Sequence, residues 1–215
     1  PDNAAQNAAD GNINASLAAA KVVLHDGAAM ACENGKRGLR IAHLDTEDGS
    51  ILYGYLKDKD GNDGYYMVGN DNTDGTLAGR IIPFKGTNLS VKVGLVKEGT
   101  GTYRITGNEN LITGGLRILQ GSVMVNNDAV KAEDNKLSGG IGQQSSATTP
   151  GVYVMTKGVL GGIGSIGSTV DLYGTLTPGD GGIGTLTLKN FATGTKPNLA
   201  LHPKSKLKFE VTDVD

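Results

Sequence analysis

The chain is written in short runs where apolar and polar residues alternate, each run closed by glycine or asparagine. Leu89, Val91, Val93 and Leu95 alternate with Ser90, Lys92, Gly94 and Val96. Tyr103 and Ile105 alternate with Thr102, Arg104 and Thr106 ahead of Gly107-Asn108. Leu116 and Ile118 flank Arg117, Gly121 follows, and Val123 and Val125 resume the pattern. Similar runs return at 152–155 and 170–173, at Leu186 with Leu188, and at Leu207, Phe209 and Val211, which Lys208 and Glu210 separate. A period of two sends successive side chains to opposite faces, so each run predicts a strand with an aliphatic face and a face of Thr, Lys, Arg and Asp.

Upstream the pattern is less regular. Residues 38–55 and 65–68 read as strands, and the Asp/Asn/Gly-rich stretches 57–64 and 69–74 around them as a loop insertion or a hairpin pair. Ser16 to Ala20 fits either a short capped helix or the alanine-lined end of a β stack. Residues 139–150, with Gln143-Gln144-Ser145-Ser146, predict a polar loop.

Strands this short bury an apolar face only among many neighbours. An antiparallel sandwich or barrel supplies them, and so does a solenoid. Asp48-Gly49, Asp60-Gly61 and Asp74-Gly75 fit two-residue hairpin links. Gly174-Thr-Leu-Thr177 and Gly184-Thr-Leu-Thr187 instead repeat one unit, which favours like stacked on like. The expectation is an all-β chain forming one β-helical domain over 1–215, with less regular coils or a cap over 1–90 and regular coils over 91–215.

Composition narrows the partners. The 34 glycines follow no three-residue period and prolines number only 6, which excludes collagen. With a net charge of −2 and cations mostly single between apolar residues, no nucleic acid partner is expected. No apolar run approaches the roughly 20 residues that cross a bilayer, so no direct membrane insertion is expected. Cys32 is alone and forms no intramolecular disulfide. The abrupt start at Pro1-Asp2 and stop at Val214-Asp215 suggest a piece of a larger protein with flanking domains.

The order Gly99-Thr-Gly-Thr-Tyr-Arg-Ile-Thr-Gly107-Asn108, then Thr113-Gly114-Gly115, Ile118, Gly121 and Val123-x-Val125, resembles the autotransporter-associated β-strand repeat. Gly158 to Ile166, Gly174 to Gly179, Ile183 to Leu188 and Ser205 to Val211 are similar to the same family, from about Thr76 to Val211. The resemblance implies a right-handed, single-stranded parallel β-helix outside a Gram-negative cell, as passenger, stalk or adhesin. The chain departs from the family in carrying no recognisable membrane-barrel domain and in its 57–74 insertion.

Candidate chemistry is sparse. Gly162-x-Gly164-x-x-Gly167 spells the dinucleotide fingerprint, but Ser168-Thr-Val-Asp-Leu-Tyr173 follows where that fingerprint requires a helix, so these glycines read as corners. Gly181-Gly-Ile-Gly184 has Leu186 where calcium-binding nonapeptides place Asp. Asp58-x-Asp60-x-Asn62-Asp63 alternates acceptors, yet Asp63 and Gly69 stand where an EF-hand needs Gly and Glu; a solvated acidic turn is the plainer reading. His25, His43 and His202 lie apart, outside any nucleophile motif, and read as surface or edge residues. Asp171 and Asp180 are the only carboxylates between Val152 and Leu201, few for a polysaccharide-cleaving groove, so no enzyme, metal or cofactor is expected. Tyr53, Tyr55, Tyr65 and Tyr66 form the candidate ligand-binding cluster, since tyrosine presents an amphipathic ring to sugar or protein; filling a cap is the competing reading. The function expected is a secreted or surface-held module, structural or adhesive towards a host glycan or protein. The alternative is a carbohydrate-binding or polysaccharide-degrading module.

Overall fold

The computed structural model describes residues 13–14, 17–32, 38–54, 64–83, 93–127, 151–188 and 198–211. The strands run in chain order as β1 (Ile13–Asn14), β2 (Lys21–Leu24), β3 (Ala29–Cys32), β4 (Gly38–Ile41), β5 (His43–Thr46) and β6 (Ile51–Gly54). They continue as β7 (Gly64–Val68), β8 (Gly75–Leu77), β9 (Arg80–Pro83), β10 (Val93–Lys97), β11 (Thr102–Ile105), β12 (Gly115–Val125) and β13 (Val152–Gly162). The last are β14 (Ser165–Ile166), β15 (Val170–Leu172), β16 (Thr175–Pro178), β17 (Thr187–Leu188), β18 (Leu199–Leu201) and β19 (Lys206–Leu207). Among the described residues, helix is confined to a turn at Leu17–Ala19, where the Ala20 amide donates to the Leu17 carbonyl at 2.9 Å.

Every ladder between named strands is parallel, and Gly162 with Gly179 makes an isolated antiparallel bridge. Up to β9, each strand pairs with the strand three places on: β1 with β4, β4 with β7, β2 with β5, β5 with β8, β3 with β6, and β6 with β9. Two rows then merge, because β12 and β13 are long enough to run through both. The first part of β12 pairs with β10 and its second part with β11. The result is a largely parallel fourteen-stranded sheet, nearly closed and barrel-like, with smaller sheets β3-β6-β9 and β14-β17 beside it.

Parallel register overturns the hairpin reading of the Asp-Gly pairs. Asp48-Gly49 joins β5 to β6, which do not pair; Gly49 takes φ +81°, a bend that L side chains resist. Asp60-Gly61 lies outside the described residues, as do Tyr55, the Asp58–Asp63 segment and the 139–150 loop.

In-register stacking builds the core as columns. One inward column runs Leu39, Tyr66, Leu95, Leu116, Val152, Val170 and Leu199. The next runs Ile41, Val68, Lys97, Ile118, Val154, Leu172 and Leu201. Most members are fully buried, each aliphatic worth roughly 1.5–3 kcal/mol of transfer free energy.

Lys97 breaks the second column. Its side chain has no exposure, and its ammonium donates to the carbonyls of Glu98, Gly99 and Gln120 at the bend between the two rows. It also lies 5.5 Å from the Tyr103 ring centre. Removal from water pushes its pKa down to about 8, against a smaller upward pull from Asp71, Asp74 and Glu98.

Candidate functional site

Of the four candidate tyrosines, Tyr53, Tyr65 and Tyr66 are among the described residues and take different surroundings. Tyr66 is fully buried in the inward column, its hydroxyl shared between the carbonyls of Met30 at 2.9 Å and Tyr53 at 2.8 Å. Burial pushes its phenol far above the ordinary range, and its ring belongs to the core. Tyr65, one residue earlier, takes the opposite face, is half-buried and fills the space that Gly94 leaves on the neighbouring strand. Tyr53 is half-buried in β6, in the small sheet. Tyr53 and Tyr65 therefore lie in different sheets.

A different group shares one surface. Arg117 of β12 stands opposite Tyr153 of β13, and Tyr153 opposite Asp171 of β15, on the outer side of the inward columns. Arg117 is exposed, with its guanidinium carbon 5.3 Å from the centre of the Tyr65 ring. Beside them, Tyr173 stacks on His202 at 3.8 Å with planes 8° apart, and His202 Nε2 lies 3.5 Å from Asp171 Oδ1. Burial, with the Asp171 charge behind it, raises the Tyr153 phenol pKa, while Arg117 pulls it down. Between Ile118 and Gln120 the register slips, so that Met155 and Thr156 of β13 face Leu119 of β12. The slip leaves Leu119 38% and Met155 40% exposed.

A second cluster lies where the chain bends into the other row. His43 is buried, which corrects its reading as a surface or edge residue. Its Nε2 is 2.7 Å from Asp45 Oδ2, its Nδ1 2.7 Å from Thr73 Oγ1 and 3.3 Å from Asp71 Oδ2. A hydroxyl, an imidazole and a carboxylate in sequence have the outline of a nucleophile relay. Here, however, the Thr73 hydroxyl donates to Asp71 Oδ2 at 2.6 Å, and Asp45 is taken up by the Thr76 amide at 2.8 Å. Burial raises the Asp71 pKa, but the bonds from Thr73 and His43 outweigh it and the net direction is down. With both ring nitrogens engaged, His43 ties the 71–74 bend to β5.

The remaining motifs resolve into architecture. Gly162 ends β13 at φ +113° and the short strand β14 follows, so the glycine string has no helix to receive a pyrophosphate. Cys32 is buried and its thiol pKa raised by that burial. Among the described residues, no three His, Cys, Asp or Glu side chains gather as a metal site, and no helix is long and apolar enough to cross a membrane. No protein-family model matches the chain, and no curated protein matches it.

Sequence reading missed the Arg117–Tyr153–Asp171 group, although a signal was present. Leu116-Arg117-Ile118, Val152-Tyr153-Val154 and Val170-Asp171-Leu172 are apolar–x–apolar triplets. Stacking the triplets in register puts each central residue in one outward column.

Proposed function

We propose that the chain is a length of right-handed parallel β-helix from an autotransporter-like surface or secreted protein, and that it works as a non-enzymatic scaffold presenting its outer face. One observation carries the reading. Strands pair parallel and in register along the chain, up to β9 with the strand three places on, so that aliphatic columns continue from strand to strand. Such a stack is stiff because each rung buries its apolar face on the next, and its outside is a ladder free to vary. The resemblance of 99–125 and 158–211 to the autotransporter-associated repeat supports an extracellular location, with outer-membrane attachment through other parts of the parent protein.

The test has two arms. A density map of the isolated chain should show parallel rungs wound in one direction; antiparallel facing layers would refute the scaffold. Antibodies against the chain should label intact cells of the source organism without permeabilisation. Labelling only after lysis would refute the surface location.

Carbohydrate recognition is the second reading, favoured by the outward Arg117, Tyr153 and Asp171 column with Tyr173 and His202 beside it.

A further inference from the structure

We propose that the outer face around Arg117 binds an anionic polysaccharide, with successive carboxylates of the polymer on Arg117 and Lys157. The proposal deepens the scaffold reading and rests on it for access to such a polymer.

Arg117 is exposed but not loose. The Tyr65 ring beneath it occupies room that exists only because Gly94 has no side chain, where an added Cβ would collide with that ring. A guanidinium held over an aromatic face loses less freedom on meeting a carboxylate than a free one. Lys157, opposite Gln120 and also exposed, is the second cation. Asp171 stands in the same outward column as Arg117, two strands away, and is turned towards His202. Among these three charged residues the two cations outnumber the carboxylate, on a chain of net charge −2, which complements an anion.

Arg117 and Gln120, the partner of Lys157, sit three positions apart on β12, roughly 10 Å along the strand at the usual rise. A chain with repeated acidic units can set one carboxylate on each cation. Between the cations lie exposed Leu119 and Met155, raised by the register slip, with Tyr153 alongside. An apolar floor beside a phenol suits the C–H faces and hydroxyls of sugar rings.

The test titrates fluorescein-labelled hyaluronan and alginate oligosaccharides into the isolated chain and reads anisotropy. A neutral cello-oligosaccharide and a poly-glutamate peptide serve as comparisons. Both uronate oligomers should bind saturably and weaken as salt rises; the neutral sugar should not bind, and the peptide should bind at least roughly tenfold more weakly. Arg117→Ala and Lys157→Ala should each cost roughly tenfold, with Arg117→Lys recovering part of the loss. Both positions are exposed, so the variants should keep the wild-type circular dichroism and melting temperature. Absence of uronate binding, unchanged affinity in the Arg117→Ala/Lys157→Ala double variant, or equal binding of poly-glutamate would each overturn the site. A negative result here leaves the rung map and the cell-labelling result standing, so loss of the site is distinguishable from loss of the scaffold.

Discussion

Tyr103 spans three strands, and removing its hydroxyl tests whether the stack depends on that reach. Tyr103 of β11 stands opposite Gly75 of β8. A Cβ built on Gly75 would fall 2.6 Å from Tyr103 Cζ and 2.8 Å from Cε1, so the ring lies directly on the glycine. Beyond it, the phenol oxygen accepts the Leu44 amide of β5 at 3.0 Å. The β5–β8 ladder pairs Thr46 with Leu77, and at Leu44 the tyrosine takes the place of a ladder acceptor. Leu44 has no exposure and Tyr103 is 1% exposed, so water cannot substitute. Tyr103→Phe keeps the ring and strands one buried N–H, which costs about 1–3 kcal/mol. For a chain of this size each kcal/mol lowers the melting temperature by about 2–4 °C. Urea denaturation gives the free energy, and amide exchange reports Leu44 directly. Gly75→Ala should destabilise by a similar amount through the ring collision, and the penalty should shrink when Tyr103→Ala removes the ring. A Tyr103→Phe variant within about 0.5 kcal/mol of wild type, with Leu44 protection unchanged, would refute the argument.

Stability should peak between about pH 9 and 10. The folded Lys97 pKa lies at about 8 against 10.5 for the free side chain, so between those values the unfolded chain holds the extra proton and stability rises with pH, by at most about 3 kcal/mol. Cys32 from about pH 9, and Tyr66 and Tyr103 (the latter raised to about 12) from about pH 10, reverse the slope, because burial raises their pKa values and the folded chain then holds the extra protons. Urea midpoints from pH 7 to 11.5 check both limbs, and Lys97→Met should flatten the rising one. Asn110→Ala should cost about 2 kcal/mol in the same assay, since the buried Asn110 accepts the Ile81 amide at 2.8 Å and donates to the Gly107 carbonyl at 2.6 Å. Asp180→Asn should cost at most about 1 kcal/mol, because its Arg104 partner at 2.9 Å is 40% exposed; a larger loss would show that the pair holds the bend at Gly179.

Local elements were legible in the residue pattern alone. Alternation of Tyr103 and Ile105 with Arg104, and of Leu116 and Ile118 with Arg117, placed β11 and β12 and assigned each residue a face, because a two-residue period is a property of one strand. It also marked a bend within β12 at Gly121, where the left-handed φ of +69° admits glycine with least strain. Which strands meet was settled in the folded chain. Parallel pairing over separations of eighteen residues or more set the columns, and with them the burial of Lys97, which lies beyond the alternating run and takes an aliphatic position between Val68 and Ile118. The same register divided Tyr65 from Tyr66, drew His43 into the bend with Asp45 and Thr73, and assembled Arg117, Tyr153 and Asp171 from three strands. A strand's own pattern fixes which way a side chain points; what it touches depends on a neighbour far along the chain, which no local pattern encodes.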